Sequence, residues 1–196
     1  MGKKRKIMES YNSSSHIYDK RYRKIQYEKC ALILKDFTLV SKIILDAGCG
    51  TGLIFEYILE NKNEIVPHYF FSFVGVDISL KMIEKFKKKV LNKDSVIIHN
   101  IHLIVADLEN LPFRSNIFNS VISLTSYQNL PNIKKGLHES IRVAKNHTSF
   151  SISILKKKLN KKAFLENIQK NFLRVDLIGD KEKELEDLII KAHLIK

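Results

Sequence analysis

Three glycines at alternate positions, preceded by an acid, are the clearest chemical feature of this sequence. The stretch LDAGCGTGL contains Gly48, Gly50 and Gly52 shortly after Asp46, in a chain that has seven glycines in all. Glycines allow a sharp turn and let a ligand approach the backbone closely. A helical pattern follows the loop, and the N-terminus of a helix offers free N–H groups. The acid beside the loop favours a ligand with a cationic group over a phosphate.

The spacing of these glycines differs from that of two well-defined phosphate-binding loops. Dinucleotide-binding proteins use G-x-G-x-x-G, and the third glycine of that pattern falls on Leu53 here. The sequence also lacks G-x-x-x-x-G-K-[ST], which excludes a P-loop. The loop therefore predicts a ligand other than a dinucleotide or a nucleoside triphosphate.

The loop resembles motif I of the class I S-adenosylmethionine-dependent methyltransferases, and the chain looks like a type 11 methyltransferase. Three further stretches follow in the family's order. GVDIS at 75–79 is similar to the second motif, VADLENLPF at 105–113 resembles the next, and NIFNSVISLTSYQNL at 116–130 resembles the fourth strand and its loop. The resemblance covers about residues 40–155. It implies that the chain is a methyltransferase with S-adenosylmethionine as its cofactor.

The resemblance also implies roles for individual residues. Asp46 would lie near the amino group of the cofactor, and Asp107 would receive the adenine amino group. Asp77 would accept both ribose hydroxyls, because a carboxylate can accept two hydrogen bonds at once. The glycine loop would pack on the methionyl part, and the fourth strand would end near the sulfonium. The implied cofactor-binding residues of the domain are Asp46, Gly48, Cys49, Gly50, Gly52, Asp77, Ile78, Asp107, Leu108, Leu124 and Thr125.

The chain departs from the family's pattern in two places. The interval from Asp46 to Asp77 is several residues longer than is common, which predicts a surface insertion within NKNEIVPHYF at 61–70. The familiar Phe-Asp before the fourth strand is Phe118-Asn119 here. The insertion leaves the motifs intact. In the family, the acid of Phe-Asp usually faces the fold rather than the substrate, so we expect its replacement by Asn119 to be a structural change.

The segment before the motifs is expected to cover the site. Residues 1–40 are assigned to a basic N-terminal segment and a helix that act as a cofactor lid, and 41–196 to the methyltransferase domain. The first ten residues are predicted to be disordered. Tyr11, Tyr18 and Tyr22 could form a helical stripe packed on the sheet. In related methyltransferases this segment often brings an aromatic side chain to the cofactor, and Tyr18 or Tyr22 would do so here.

Alternating strand and helix patterns predict the fold. They favour an α/β protein with a doubly wound, mostly parallel seven-stranded sheet and helices on both faces, a Rossmann-like methyltransferase fold. Two strand patterns close together at the C-terminus predict an antiparallel hairpin at one edge, with the last strand antiparallel. Ser79 is placed to cap the third helix. The predicted strands are 43–45, 69–76, 103–106, 118–124, 149–155, 173–178 and 188–194, and the predicted helices are 19–37, 53–59, 79–91, 133–144 and 161–170.

The loop after the fourth strand contains the candidate residues for chemistry on the acceptor, Tyr127, Gln128 and Asn129. Methyl transfer from a sulfonium is an in-line displacement that depends mainly on proximity and alignment, and no dedicated base is evident. The loop lacks N-P-P-Y, which resembling enzymes use on amide or exocyclic amino nitrogens, and there is no Pro-Cys nucleophile for a pyrimidine carbon. Methylation of oxygen, nitrogen or a ring nitrogen stays open.

The charge of the chain suggests an anionic partner. The net charge of +13 and the pI of 9.6 favour nucleic acid, and Lys156, Lys157 and Lys158 follow the fifth strand on the expected substrate side. The bias toward lysine could instead reflect an AT-rich genome. The leading hypothesis is an RNA (tRNA) methyltransferase that works with a small zinc-binding activator protein, as the resemblance implies. The alternatives are a protein or small-molecule methyltransferase and a non-catalytic cofactor-binding or scaffold protein.

Composition indicates the cellular compartment of the protein. No run reaches the roughly 18 apolar residues of a membrane span, and no apolar segment follows the basic N-terminus as it would in a secretory signal. Cys30 and Cys49 match no disulfide or metal spacing, and the seven histidines show no metal spacing either. We therefore expect a cytoplasmic protein without a metal site.

Overall fold

The computed structural model describes residues 2–35, 43–61, 72–91, 100–179 and 185–196. The strands are β1 (Ile43–Ala47), β2 (Ser72–Asp77), β3 (Ile101–Val105), β4 (Phe118–Leu124), β5 (Ala144–Leu155), β6 (Phe172–Ile178) and β7 (Asp187–Leu194). The helices are α1 (Lys3–Ser14), α2 (Tyr18–Leu34), α3 (Leu53–Glu60), α4 (Leu80–Leu91), α5 (Ile133–Val143) and α6 (Lys161–Gln169), with 3-10 turns at Tyr127–Asn129 and Lys156–Lys158. Residues 62–70 of the expected surface insertion, 69–71 of the second predicted strand and 36–37 of the first predicted helix lie outside the described residues.

The seven strands form one sheet in the order β3-β2-β1-β4-β5-β7-β6. Parallel pairing joins β3 to β2, β2 to β1, β1 to β4 and β4 to β5. β7 runs antiparallel between β5 and β6. These pairings confirm the mostly parallel sheet and the antiparallel C-terminal hairpin at one edge. The last strand lies one place inside that edge, because β6 takes the outer position.

Alternation of side chains along the strands gives the sheet an apolar core on each face. In β1, Ile44 belongs to one buried cluster and the next residue, Leu45, belongs to the other. This is expected because successive side chains of a strand point to opposite faces. Helices α2, α3 and α4 cover the face of Ile44, and α5 and α6 cover the face of Leu45. The prediction of helices on both faces is confirmed.

The order of the strands creates a crevice at their carboxyl ends. β1 and β4 are neighbours, although β2 and β3 lie between them in the sequence. The chain therefore leaves β1 toward one edge of the sheet and leaves β4 toward the other. Open α/β sheets bind ligands at such a switch point. The predicted cap lies beside this crevice, where Ser79 Oγ accepts a hydrogen bond from the N–H of Met82 at 3.2 Å.

The N-terminal residues form a helix, so the predicted disorder of the first ten residues is wrong. Helix α1 is held by contacts with distant parts of the chain: Lys4 pairs with Asp107, and Asn12 Oδ1 accepts a hydrogen bond from Ser79 Oγ at 2.6 Å. The local composition, rich in lysine, gave no sign of these remote partners. None of the helices in the described ranges has the length and apolarity that crossing a bilayer would require.

Candidate active site

The glycine loop after β1 is tightly packed at Gly48 and has free space beside its backbone at Gly50. The N–H groups of Gly48 and Cys49 both donate to the carbonyl of Val76, at 2.8 and 2.9 Å, which ties the loop to the end of β2. Gly48 has a φ of 85°, and a Cβ at this residue would lie 2.2 Å from Ser126 Oγ. A Cβ on Gly50 would meet nothing within 4 Å. A ligand can therefore approach the backbone of the loop at Gly50.

Asp46 is a buried carboxyl group without a hydrogen-bonding partner among the described residues. Its side chain is completely buried, and neither oxygen accepts a hydrogen bond from the part of the chain that the structure describes. Burial raises the pKa of Asp46 well above its usual range, and the neighbouring Asp77 raises it further. An isolated buried carboxylate is unfavourable. The residue therefore suits a cationic ligand group, such as an ammonium, that would balance its charge.

Asp77 holds the glycine loop and also faces the crevice. Its Oδ2 accepts the N–H of Gly50 at 3.0 Å, and its Oδ1 accepts the N–H of Ser79 at 2.8 Å. Burial raises the pKa of Asp77, and these backbone hydrogen bonds act against that shift. Because each carboxylate oxygen has two lone pairs, the group keeps capacity for two further donors, such as vicinal hydroxyls.

A cavity lies between the ends of β1, β2 and β4, beneath α1; we call it the glycine-loop cavity. Its volume is about 70 Å³, well below the roughly 300–1,000 Å³ of typical ligand sites. Because α1 forms part of its wall, a nucleoside-sized ligand requires this helix to move. The lining residues that the resemblance implied are Gly48, Gly50, Asp77, Ile78, Asp107, Leu108, Leu124, Thr125 and Tyr18, and the others are Lys4, Ile7, Tyr11, Met82, Ser126, Asn129, Leu130 and Pro131.

Cys49 and Gly52, together with Asp46, lie behind the wall of this cavity rather than on it. A Cβ on Gly75 of β2 would lie 3.0 Å from Cys49 Sγ, so Gly75 leaves the room that the thiol occupies. Burial raises the pKa of the Cys49 thiol well above its usual range. Gly52 has a φ of 81°, and a Cβ there would lie 2.4 Å from the ring of Phe86. The structure thus gives the Cys49 side chain and Gly52 packing roles within the loop.

Lys4 from α1 occupies the position opposite Asp107. Its Nζ lies 2.5 Å from Asp107 Oδ2 and 2.8 Å from Glu109 Oε2. Asp107 Oδ1 accepts the N–H of Glu109 at 2.9 Å. These contacts raise the pKa of Lys4, chiefly through its hydrogen bond with Asp107. The sequence analysis missed Lys4, because only its distant partners distinguish it from the other lysines of the N-terminal segment.

Thr125 directly follows β4 and lies in the left-handed region, with a φ of 56°. Its side chain contacts a buried ion pair. Lys29 Nζ of α2 lies 3.0 Å from Asp187 Oδ1 of β7 and donates to Thr125 Oγ1 at 3.3 Å. Asp187 Oδ2 accepts hydrogen bonds from Ser153 Oγ at 2.5 Å and Thr125 Oγ1 at 3.3 Å. Lys29 and Asp187 were also missed. Neither residue belongs to a motif. Asp187 could have been noticed in the sequence, because an acid at the start of an apolar strand is unusual.

The three candidate residues of the loop after β4 lie in different environments. Tyr127 lies in the core, with its hydroxyl 2.5 Å from Ser140 Oγ, and burial raises its pKa to about 12. It does not line the glycine-loop cavity. Gln128 is buried and donates from Nε2 to the carbonyl of Thr125 at 2.5 Å. Asn129 lines the glycine-loop cavity and donates to the hydroxyl of Tyr11 at 2.8 Å.

A second cavity, which we call the basic cavity, adjoins the first. Its volume is about 640 Å³. Of the N-terminal tyrosines, Tyr11 and Tyr18 line both cavities, and Tyr22 lines only the basic one. The residues that line both cavities are Ile7, Tyr11, Tyr18, Thr125 and Asn129. The remaining lining residues are Lys3, Lys6, Ser10, Ser14, Arg21, Tyr22, Ile25, Gln26, Lys29, Gln128, Leu155, Lys157, Lys158 and Glu186.

Comparison with protein families and curated proteins identifies relatives of this chain. A family model described as a methyltransferase domain matches residues 45–152. An uncharacterized protein of Methanocaldococcus jannaschii is 31% identical over 196 residues, which covers 97% of this chain and 68% of that protein. A ubiquinone/menaquinone biosynthesis C-methyltransferase of Wigglesworthia glossinidia brevipalpis is 34% identical over 119 residues, which covers 60% of this chain and 44% of that enzyme. The chain thus spans about two thirds of the first relative and under half of the second.

Solved structures share the fold over nearly the whole chain. A methyltransferase in complex with the Trm112 methyltransferase activator of Haloferax volcanii matches with a TM-score of 0.73 and 12% identity, over 95% of this chain and 98% of that one. The magnesium protoporphyrin IX methyltransferase of Synechocystis, solved with S-adenosylmethionine bound, matches with a TM-score of 0.73 and 15% identity, over 99% and 98% of the two chains.

Proposed function

This chain belongs to the class I S-adenosylmethionine-dependent methyltransferases, and we propose that its methyl acceptor is an RNA, specifically a tRNA. The observation that carries this proposal is the basic cavity. It adjoins the glycine-loop cavity and is lined by lysine and arginine side chains from α1, α2 and the turn after β5. Cationic side chains around a site attract the phosphates of a nucleic acid. The net charge of +13 supports the same class of partner.

The residues of the glycine-loop cavity have complementary tasks in this proposal. The cofactor supplies an electrophilic methyl group when bound. Asp46 balances the charge of the cofactor's amino group from behind the wall of the cavity, directly or through a water molecule, and the open backbone at Gly50 accommodates the methionyl part. Asp77 binds the ribose hydroxyls, and Asp107 receives the adenine amino group once Lys4 has moved away. Asp77 and Asp107, at the carboxyl ends of β2 and β3, would hold the cofactor at two points of one cavity, which Leu124 at the end of β4 also lines.

We assign the meeting of acceptor and methyl group to the surroundings of Thr125, which lines both cavities and directly follows β4. In-line displacement needs the attacking atom about 3–3.5 Å from the methyl carbon. Lys29 and Asp187 fix the hydroxyl of Thr125 from the side of the sheet. They are positioning residues, which keep the wall between the cavities in one arrangement during the reaction.

A small zinc-binding activator protein is part of the proposal. It is supported by the likeness to the Haloferax volcanii methyltransferase that was solved with its Trm112 activator. The cytoplasm is the proposed setting, since both cysteines are buried free thiols that suit a reducing compartment.

Methylation of a small molecule is the second candidate, because one relative is a quinone C-methyltransferase. A quinone precursor is largely apolar, whereas the basic cavity presents several cationic side chains. This contrast favours the RNA acceptor. A single assay that separates labelled RNA from labelled small molecules distinguishes the two candidates.

The proposed test is transfer of labelled methyl from S-adenosylmethionine into a host-cell extract, followed by separation of RNA, protein and small molecules. The assay is run with the purified chain alone and with an added zinc-binding activator protein of the Trm112 type. We expect label in the tRNA fraction. Label only in lipid-soluble small molecules would establish the second candidate instead. A requirement for the added activator would establish the proposed partner.

A further inference from the structure

The basic cavity contains features that would recognise one nucleotide rather than a duplex. Its rim is cationic: the exposed side chains of Lys3, Lys6, Arg21, Lys157 and Lys158 line it. Within the described part of the chain none of these five forms an ion pair with a carboxylate, and Glu186 is the one acid on the wall. A rim of uncompensated cations fits the phosphates on either side of an inserted nucleotide.

Aromatic rings form the inner wall of the basic cavity. The ring centroids of Tyr18 and Tyr22 lie 4.9 Å apart, and those of Tyr11 and Tyr18 lie 6.4 Å apart. The guanidinium of Arg21 lies 5.3 Å from the centroid of the Tyr22 ring. Proteins that read single-stranded RNA stack unpaired bases on tyrosine rings and guanidinium planes of this kind. The wall therefore offers a platform for an extruded base.

Two buried amides provide free acceptors beside this platform. Gln26 and Gln128 both line the basic cavity, and each is less than a tenth exposed. The Nε2 of Gln26 donates to the Tyr18 hydroxyl at 3.3 Å, and the Nε2 of Gln128 donates to the carbonyl of Thr125 at 2.5 Å. Their Oε1 atoms have no hydrogen-bond partner in the described residues. Since buried polar atoms are normally satisfied, these oxygens are suited to accept N–H groups from a base.

We propose that the basic cavity binds a single unstacked nucleotide of the RNA acceptor, with its base against Tyr22 and its flanking phosphates on the lysine rim. Gln26 and Gln128 accept hydrogen bonds from the edge of the base, and the modified atom reaches the methyl group past Thr125. This inference rests on the proposed RNA methylation. It adds that the target nucleotide must leave any helix before the reaction.

The test compares variants in the RNA methylation assay, with the tRNA fraction of the host as substrate and the activator present. Tyr22→Ala is expected to raise the KM for RNA by about 5- to 150-fold, the effect of losing one stacked base. Tyr22→Phe keeps the ring and should restore most of the affinity. The Kd for S-adenosylmethionine should be the same in both variants, because Tyr22 lines only the basic cavity.

A second pair of variants covers the case in which Tyr22→Ala fails to fold. Lys6→Glu/Lys157→Glu reverses two exposed charges of the rim, and Lys134→Glu/Lys162→Glu makes the same charge change at exposed positions of α5 and α6. We expect a rise in the KM for RNA in the rim variant that is at least tenfold greater than in the control. Equal effects of the two, or an unchanged KM in Tyr22→Ala, would overturn the nucleotide site while RNA methylation itself stands. Absence of RNA methylation in the wild type, with label in another fraction, would instead overturn the proposed function.

Discussion

The ammonium of Lys4 lies 2.5 Å from Oδ2 of Asp107, across the glycine-loop cavity. In this arrangement a side chain of α1 occupies the carboxylate that we propose binds the adenine amino group. Helix α1 also forms part of the wall of this cavity, whose volume is about 70 Å³. In the proposed placement of the cofactor, the Lys4–Asp107 contact must open before Asp107 can bind the adenine amino group. We therefore infer that the N-terminal helix acts as a lid that competes with the cofactor for this carboxylate.

Lys4→Met should increase the affinity for S-adenosylmethionine by about two- to fivefold, because the opposing ion pair is partly exposed and such pairs contribute up to about 1 kcal/mol. Isothermal titration calorimetry would measure the change. Arg5→Met is the matched control, since Arg5 lies on the same helix and pairs only with Glu9 among the described residues. Weaker binding in Lys4→Met would mean that Lys4 stabilises the bound state instead.

Asp77→Ala should weaken S-adenosylmethionine binding by about 10- to 150-fold. This range corresponds to the loss of a hydrogen bond to a charged group, which contributes about 1.5–3 kcal/mol. The ribose hydroxyls would lose their acceptor. Calorimetry would measure the affinity, and Asp176→Ala on the exposed side of β6 is the control. Because Asp77 also accepts the N–H groups of Gly50 and Ser79, thermal unfolding of the variant must be compared as well. Unchanged affinity would show that the ribose lies elsewhere.

Asp46→Asn should increase the free energy of unfolding of the cofactor-free protein at neutral pH. Folding raises the pKa of Asp46, so its protonated form favours folding, and that contribution is lost as the pH rises through the raised pKa. The advantage of the variant should therefore shrink as the pH falls toward the ordinary aspartate value of about 3.9. Urea unfolding across this range would measure it.

The same substitution should weaken cofactor binding, because the amide cannot balance an ammonium. A variant that is less stable than the wild type at neutral pH, without cofactor, would mean that Asp46 already has a cationic partner. Calorimetry in buffers of different ionisation enthalpy gives a second measurement. Binding to the wild type should release a proton from Asp46, because burial raises its pKa well above the usual range.

Lys29→Met should lower the free energy of unfolding by about 3–5 kcal/mol, since it leaves the carboxylate of Asp187 buried without its partner. Adding Asp187→Asn to this variant should recover part of the loss, because the unpaired charge is then removed. Chemical denaturation would measure both. Lys81→Met, which breaks the exposed pair with Glu84, is the control and should change stability by less than about 1 kcal/mol. A loss as small as that of the control would contradict the role of the buried pair.

Replacing Lys156, Lys157 and Lys158 by alanine should lower RNA affinity and flatten its salt dependence. The slope of log K against log salt falls by about 0.7 for each contact with a single-stranded phosphate that is lost. Filter binding at several salt concentrations would measure it. Alanine at Lys87, Lys88 and Lys162, which are exposed on α4 and α6, gives the same charge change elsewhere. An unaltered slope in the first variant would exclude this run from the RNA contact.

Local patterns were sufficient to predict the sheet and its helices. The strand β4 was predicted with the observed bounds, and α5 differs from its prediction by one residue. Both are amphipathic or apolar segments whose periodicity depends only on neighbouring residues. Disorder of the N-terminal segment was predicted wrongly for the same reason, since its composition is polar and its stabilising contacts lie more than sixty residues away.

The sequence alone determined the family and the positions of Gly50 and Asp77 at the ends of adjacent strands, because these residues form short contiguous motifs tied to the turn after each strand. The tertiary structure decided which remote side chains complete the site. Lys4, Lys29 and Asp187 meet their partners only through the path of the chain. Electrostatic pairing acts through space, so a lysine in a polar segment and an acid at the start of the last strand acquire their roles only when helix and sheet pack together.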